Sequence, residues 1–161
     1  MKTTHAKKSM PIGWVKAVLV AGLIVGTLDI SAAIIQTLLN NGNIVKLLQF
    51  IASGLFGRQS FSGGVPFAIS GLLFHYIIAL GWTVLFFLIY PRIKFMAEYK
   101  ILTGLLYGCF VWLIMNQVVL PLSNTPPISF NILSAVVAIL ILVGAIGLPL
   151  AFLAQRFYLK K

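Results

Sequence analysis

Four long apolar blocks separated by short polar breaks dominate this sequence. They run from Trp14 to about Leu39, from about Pro66 to Tyr90, from about Ile101 to Leu120, and from about Ile132 to Phe157. A helix needs about 20 apolar residues to cross a hydrocarbon core of about 30 Å, and each block is long enough. The breaks are polar or turn-forming: Asn40-Asn41-Gly42-Asn43, Pro91-Arg92 and Ser123-Asn124-Thr125-Pro126-Pro127. Soluble domains carry about 25% charged residues. Here the share is 9%, beside 60% hydrophobic residues in a chain of only 161. A globule this small cannot bury that much apolar surface, whereas a lipid bilayer solvates it. The expected fold is therefore an all-α membrane protein, a four-transmembrane-helix bundle. It forms a single transmembrane domain over residues 14–161 behind a basic cytoplasmic tail, residues 1–13.

The flanking charges choose the orientation. With the N-terminus inside, the inner segments hold Lys2, Lys7, Lys8, Lys16, Arg92, Lys94, Lys100, Arg156, Lys160 and Lys161, ten of the twelve basic residues. The outer segments hold only Lys46 and Arg58. Such a bias over short loops is the positive-inside pattern, and it puts both termini in the cytoplasm. A net charge of +10 also raises nucleic acid as a partner. The basic residues sit between apolar blocks rather than along one face, so the expected partner is the lipid bilayer and not nucleic acid. A rival reading takes the first block as a signal peptide, with Ser31-Ala32-Ala33 as a cleavage site. The apolar run continues to Leu39 and contains Asp29, which fits poorly with an apolar core of 7–15 residues.

Residues 43–57 differ from the spans. Asn43, Lys46, Gln49, Ser53 and Gly57 recur every three or four residues among Leu47, Leu48, Phe50, Ile51, Leu55 and Phe56. This spacing predicts an amphipathic interfacial or re-entrant helix between the first and second spans, too short to cross. As a plain connector it would tuck its apolar face against the bundle.

Strongly polar groups are costly in hydrocarbon and each needs a reason. The first span contains Asp29, the second His75, and the third Asn116 and Gln117. At 1.5 Å per residue, all fall in the outer half of the bilayer, within about one helical turn of one another. Gly22 and Gly26 share a face with Asp29, and Ala68, Gly71 and Ala79 share one with His75. Gly104 and Gly108 share a face with Trp112 and Asn116. Small residues let helices approach closely, so these faces are expected to point inward and gather the polar groups into one cluster. Asp29 and His75 are expected to pair there, either as a glue between helices or as a proton or ligand site.

Other features carry less. His5 lies in the basic tail; Pro149, with Gly144 and Gly147 before it, predicts a kink in the fourth helix. Pro126-Pro127 ends the third helix, and Trp14, Tyr90 and Tyr158 suit the interfacial aromatic belt while Tyr107 does not. The lone Cys109 permits no intramolecular disulfide. No metal-ligand spacing, nucleotide loop or nucleophile elbow occurs, so no metal, cofactor or enzymatic activity is expected.

The glycine-rich first span, His75-Tyr76, Tyr90-Pro91-Arg92-Ile93-Lys94, Leu102-Thr103-Gly104-Leu105-Leu106-Tyr107-Gly108 and Pro121-Leu122-Ser123-Asn124-Thr125-Pro126-Pro127 form a recognisable set. Together they resemble the YagU-like family of small bacterial inner-membrane proteins. The resemblance implies a bacterial cytoplasmic membrane and supplies no catalytic residues. The function expected first is a non-enzymatic structural, stress-related or accessory membrane component. The alternative is a small transporter or channel using Asp29 and His75. Four helices are few for an alternating-access carrier, so that alternative requires a homo-oligomer.

Overall fold

The computed structural model describes residues 13–127 and 129–159, and these are helical, with no strand among them. Four helices are long and apolar enough to cross a membrane: Trp14–Leu39, Gly64–Arg92, Lys100–Leu122 and Ile132–Tyr158. Two shorter helices complete the chain. We label the six α1 (Trp14–Leu39), α2 (Ile44–Phe56), α3 (Gly64–Ile89), α4 (Lys94–Glu98), α5 (Lys100–Leu122) and α6 (Ile132–Tyr158). Of the tail expected at residues 1–13, all but Gly13 lies outside the described residues.

Local sequence sets the ends. Asn43 starts α2, its Oδ1 accepting from the backbone N–H of Val45 (2.8 Å) and Lys46 (3.2 Å). Asn131 starts α6 in the same way, accepting from Ser134 N–H at 3.0 Å. Gly57 stops α2 at a φ of 64°, a conformation that favours glycine.

Both expected glycine pairs lie at helix crossings, but they serve two different seams. A Cβ on Gly26 would meet the Tyr76 ring at 2.9 Å and Ala79 Cβ at 3.2 Å, and one on Gly22 would run into Leu80. These two glycines seat α1 on α3. A Cβ on Gly104 would meet Leu148 Cα at 2.8 Å, and one on Gly108 would meet Val143 Cα at 2.5 Å. Those two seat α5 on α6. Helix α1 also packs along α6, which joins the two pairs into a bundle.

The helices α5 and α6 are not α-helical throughout. Each contains a π turn, Met115–Val119 and Val143–Gly147, closed by Leu120 N–H to Met115 O and Leu148 N–H to Val143 O. In each case the next residue is proline, Pro121 or Pro149. A proline ring collides with the carbonyl four residues earlier and offers no N–H. A wider turn placed just ahead of it relieves that collision. The expected kink at Pro149 is therefore accompanied by a π turn, and α5 passes through Pro121 and ends at Leu122, ahead of Pro126-Pro127.

The apolar core fills the half of the bundle that holds the start of α1 and the end of α6. Val18, Ala21 and Val25 of α1 pack with Phe86 and Phe87 of α3, Tyr107 and Val111 of α5, and Leu150, Ala151 and Ala154 of α6. Tyr107, the aromatic that does not suit an interfacial belt, is buried. Its ring meets Phe86 edge-on at 4.6 Å and its hydroxyl donates to Trp82 O at 2.6 Å. Tyr90 stacks on Tyr158 at 5.6 Å, and Tyr158 donates to Phe87 O at 2.8 Å.

The buried side of α2 is mixed rather than apolar. Gln49 and Ser53 are 4% and 0% exposed and Ala52 is buried with them, while Leu55 is 59% exposed. On α3, Gln49 Nε2 donates to Gly64 O at 2.9 Å, Gly71 lies against the Leu48 carbonyl with no room for a Cβ, and the Phe56 ring meets Phe67 and Phe74. Asn43 and Lys46, of the expected polar stripe, are exposed. The loop between α5 and α6 holds its far end, since Asn124 donates from its backbone N–H to Gly54 O and from Nδ2 to Leu55 O, both at 3.0 Å.

Candidate functional site

The seam between α1 and α3 carries the polar pair. Asp29 lies fifteen residues into α1, on the face of Gly22 and Gly26, and His75 lies one turn beyond Gly71 on the buried face of α3. Because the glycines remove side chains at the crossing, the two backbones come close enough for short polar contacts. His75 Nε2 sits 2.8 Å from the Gly26 carbonyl oxygen, and His75 Nδ1 sits 4.0 Å from Asp29 Oδ2. The side chains are 10% and 19% exposed.

This geometry counts protons. A carbonyl oxygen only accepts, so Nε2 must carry a hydrogen to bond Gly26. Nδ1 then faces the Asp29 carboxyl across 4.0 Å, beyond hydrogen-bond length, so the two groups meet as close neighbours and the bond to Gly26 is the one hydrogen bond His75 makes between the helices among the described residues.

Beside the pair, Thr27 Oγ1 and Tyr76 OH lie 2.9 Å apart, and the Tyr76 ring meets His75 edge-on at 5.5 Å. Sequence reasoning misses Thr27 and Tyr76, because neither is costly enough in hydrocarbon to demand a partner. The signal that would find them is adjacency. Each follows a seam residue, Gly26 or His75, by one position, and so borders the same crossing.

The other two expected members lie elsewhere. Asn116 and Gln117 fall in the π turn of α5, and Asn116 Nδ2 donates to Trp112 O on its own helix at 2.9 Å. Both line a cavity of about 590 Å³ between α5, the loop that follows it and the start of α6, which neither Asp29 nor His75 lines. Their helix face leads to α6, because Gly104 and Gly108 on that face pack there. The single expected cluster is thus two separate sites.

No group of three or more histidine, cysteine, aspartate or glutamate residues converges among the described residues. Comparison of the chain with known protein families, with curated proteins and with solved structures finds no match to any of them.

Proposed function

We propose that this chain is a non-enzymatic integral protein of the bacterial cytoplasmic membrane, a structural, stress-related or accessory component of the YagU-like kind. In this reading the four spans place both termini in the cytoplasm, as the distribution of basic residues favours. Helix α2 sits on the outer side, dipping its apolar face into lipid. The observation that carries the reading is the Asp29–His75 contact beside the hydrogen bond from His75 to Gly26 O. In this reading the two groups share one proton and clasp the α1–α3 seam, where one interhelical hydrogen bond is worth about 1 kcal/mol.

A second reading is a small homo-oligomeric transporter or channel in which this proton moves. It is favoured by the residual exposure of Asp29 and by the two interrupted helices, since unwound or widened turns line many intramembrane pathways.

One experiment separates the two. Asp29→Asn keeps a donor facing His75 Nδ1 but removes the titratable proton, whereas Asp29→Leu removes both. The clasp reading expects Asp29→Asn to unfold near the wild-type temperature and Asp29→Leu to unfold lower. It also expects no proton flux into liposomes from any of the three proteins. Flux carried by the wild type and abolished in a stably folded Asp29→Asn replaces the clasp with the transport reading. Equal stability of all three proteins removes the clasp.

A further inference from the structure

The cavity at the outer end of α5 and α6 has a lining that matches no part of the proton clasp. Trp112 lines it, and Asn116 and Gln117 follow one turn later on the π turn that precedes Pro121. Across from them, Asn131 and Ser134 stand at the start of α6. Its volume of about 590 Å³ falls within the range of about 300–1,000 Å³ usual for small-molecule sites.

The lining has a definite chemical character. No residue in it carries a charge, which disfavours both anions and cations as ligands. Hydrogen-bonding capacity of both kinds is left over. Asn116 spends Nδ2 on Trp112 O and keeps Oδ1; Asn131 spends Oδ1 on Ser134 N–H and keeps Nδ2. Gln117 makes no side-chain hydrogen bond among the described residues and keeps its whole amide, and Ser134 adds a hydroxyl. Pro121 has no N–H, so it also frees a backbone carbonyl in the π turn. An indole face, spare amide donors and acceptors, and no charge together suit a ring that is apolar on its faces and hydroxylated at its rim.

We propose that this cavity binds a neutral polyhydroxylated ring, a saccharide, offered either free or as the headgroup of a glycolipid in the outer leaflet. Asn116 and Gln117 bond the hydroxyls, and Trp112 packs on the ring face.

The test uses the full chain in phosphatidylcholine nanodiscs, read by tryptophan fluorescence. One arm titrates free maltose; a second incorporates monoglucosyl diacylglycerol; a third incorporates phosphatidylglycerol. A saturable response to maltose assigns a free-sugar site, and a response confined to the glucosyl lipid assigns a headgroup site; either supports the proposal. Trp112→Phe is expected to abolish the signal. Gln117→Leu, which breaks no internal hydrogen bond, is expected to weaken binding by about tenfold with an unchanged unfolding temperature. The proposal is overturned if neither neutral ligand saturates, if phosphatidylglycerol gives an equal response, or if Gln117→Leu binds as the wild type does.

Discussion

Replacing Gly147 by alanine should be among the most damaging single-methyl changes in the bundle. The new Cβ would overlap the Gly104 carbonyl oxygen, with Gly104 C and Gly108 N each only 3.0 Å away. All three are backbone atoms of α5, so no rotamer change relieves the contact and the α5–α6 seam must open. Overpacking costs about 1–3 kcal/mol, and a collision with backbone alone belongs at the upper end. The better helix propensity of alanine returns at most about 1 kcal/mol. The net loss is about 2–3 kcal/mol. In a chain of this size each kcal/mol moves the unfolding temperature by about 2–4 °C, so the expected fall is about 4–12 °C. Gly81→Ala and Gly144→Ala are the controls, because a Cβ there meets nothing within 4 Å and should leave the temperature level or slightly raised. Gly22→Ala should fall between, since it meets the end of the Leu80 side chain, which can swing aside. Thermal unfolding of the purified variants in one detergent, followed by circular dichroism, gives the order. If Gly147→Ala melts alongside Gly81→Ala, the seam is not closed by backbone contact and the reasoning fails.

Three further changes test other joints. Tyr107→Phe removes the donor to Trp82 O and should lower stability by about 1 kcal/mol, seen as a lower unfolding temperature. Gln49→Leu strips the side-chain donor from Gly64 O at the buried side of α2 and should cost about 1–3 kcal/mol; an unchanged unfolding temperature would contradict the inward-facing polar side. Asn124→Ala removes the bond to Leu55 O but keeps the backbone bond to Gly54 O. It should cost about 1 kcal/mol and speed amide hydrogen exchange locally, in the last turn of α2, with α1 unaffected.

The spans are legible because length and apolar content decide them almost alone, and the structure moves their ends by only a few residues. The Asp29–His75 contact is legible too, since each residue shares a helical face with small neighbours, and small faces meet. The same rule misplaces Asn116 and Gln117. It says that small faces pack but not which face packs on which, and the bundle uses its faces in pairs: α1 with α3, and α5 with α6. The side of α2 that faces inward is illegible for another reason. Periodicity shows that a helix has two unlike sides, but choosing between them requires knowing what surrounds it. Gly64 offers a carbonyl to Gln49 and Gly71 offers a flat surface to Leu48, and both partners sit on the next long helix, outside the window in which periodicity is read. The π turns leave a sequence signal in Leu120-Pro121 and Leu148-Pro149, but a proline alone does not distinguish a bend from a widened turn.

Those widened turns also set the phase of the helices that contain them. An α-helix advances about 100° per residue, so one residue gained or lost within a helix rotates everything beyond it by that angle. Deleting one residue from Val143–Gly147 would restore the ordinary hydrogen-bond count. Because the π turn is where one extra residue is absorbed, that deletion would leave Leu150, Ala151 and Ala154 facing the core they fill. The five residues before Leu148 thus act as a spacer that lets the first part of α6 answer to the cavity and the last part to the core, each with its own rotational setting. A chain of this architecture could change what the start of α6 presents, by adding or dropping a residue in that turn, without disturbing how its end is packed.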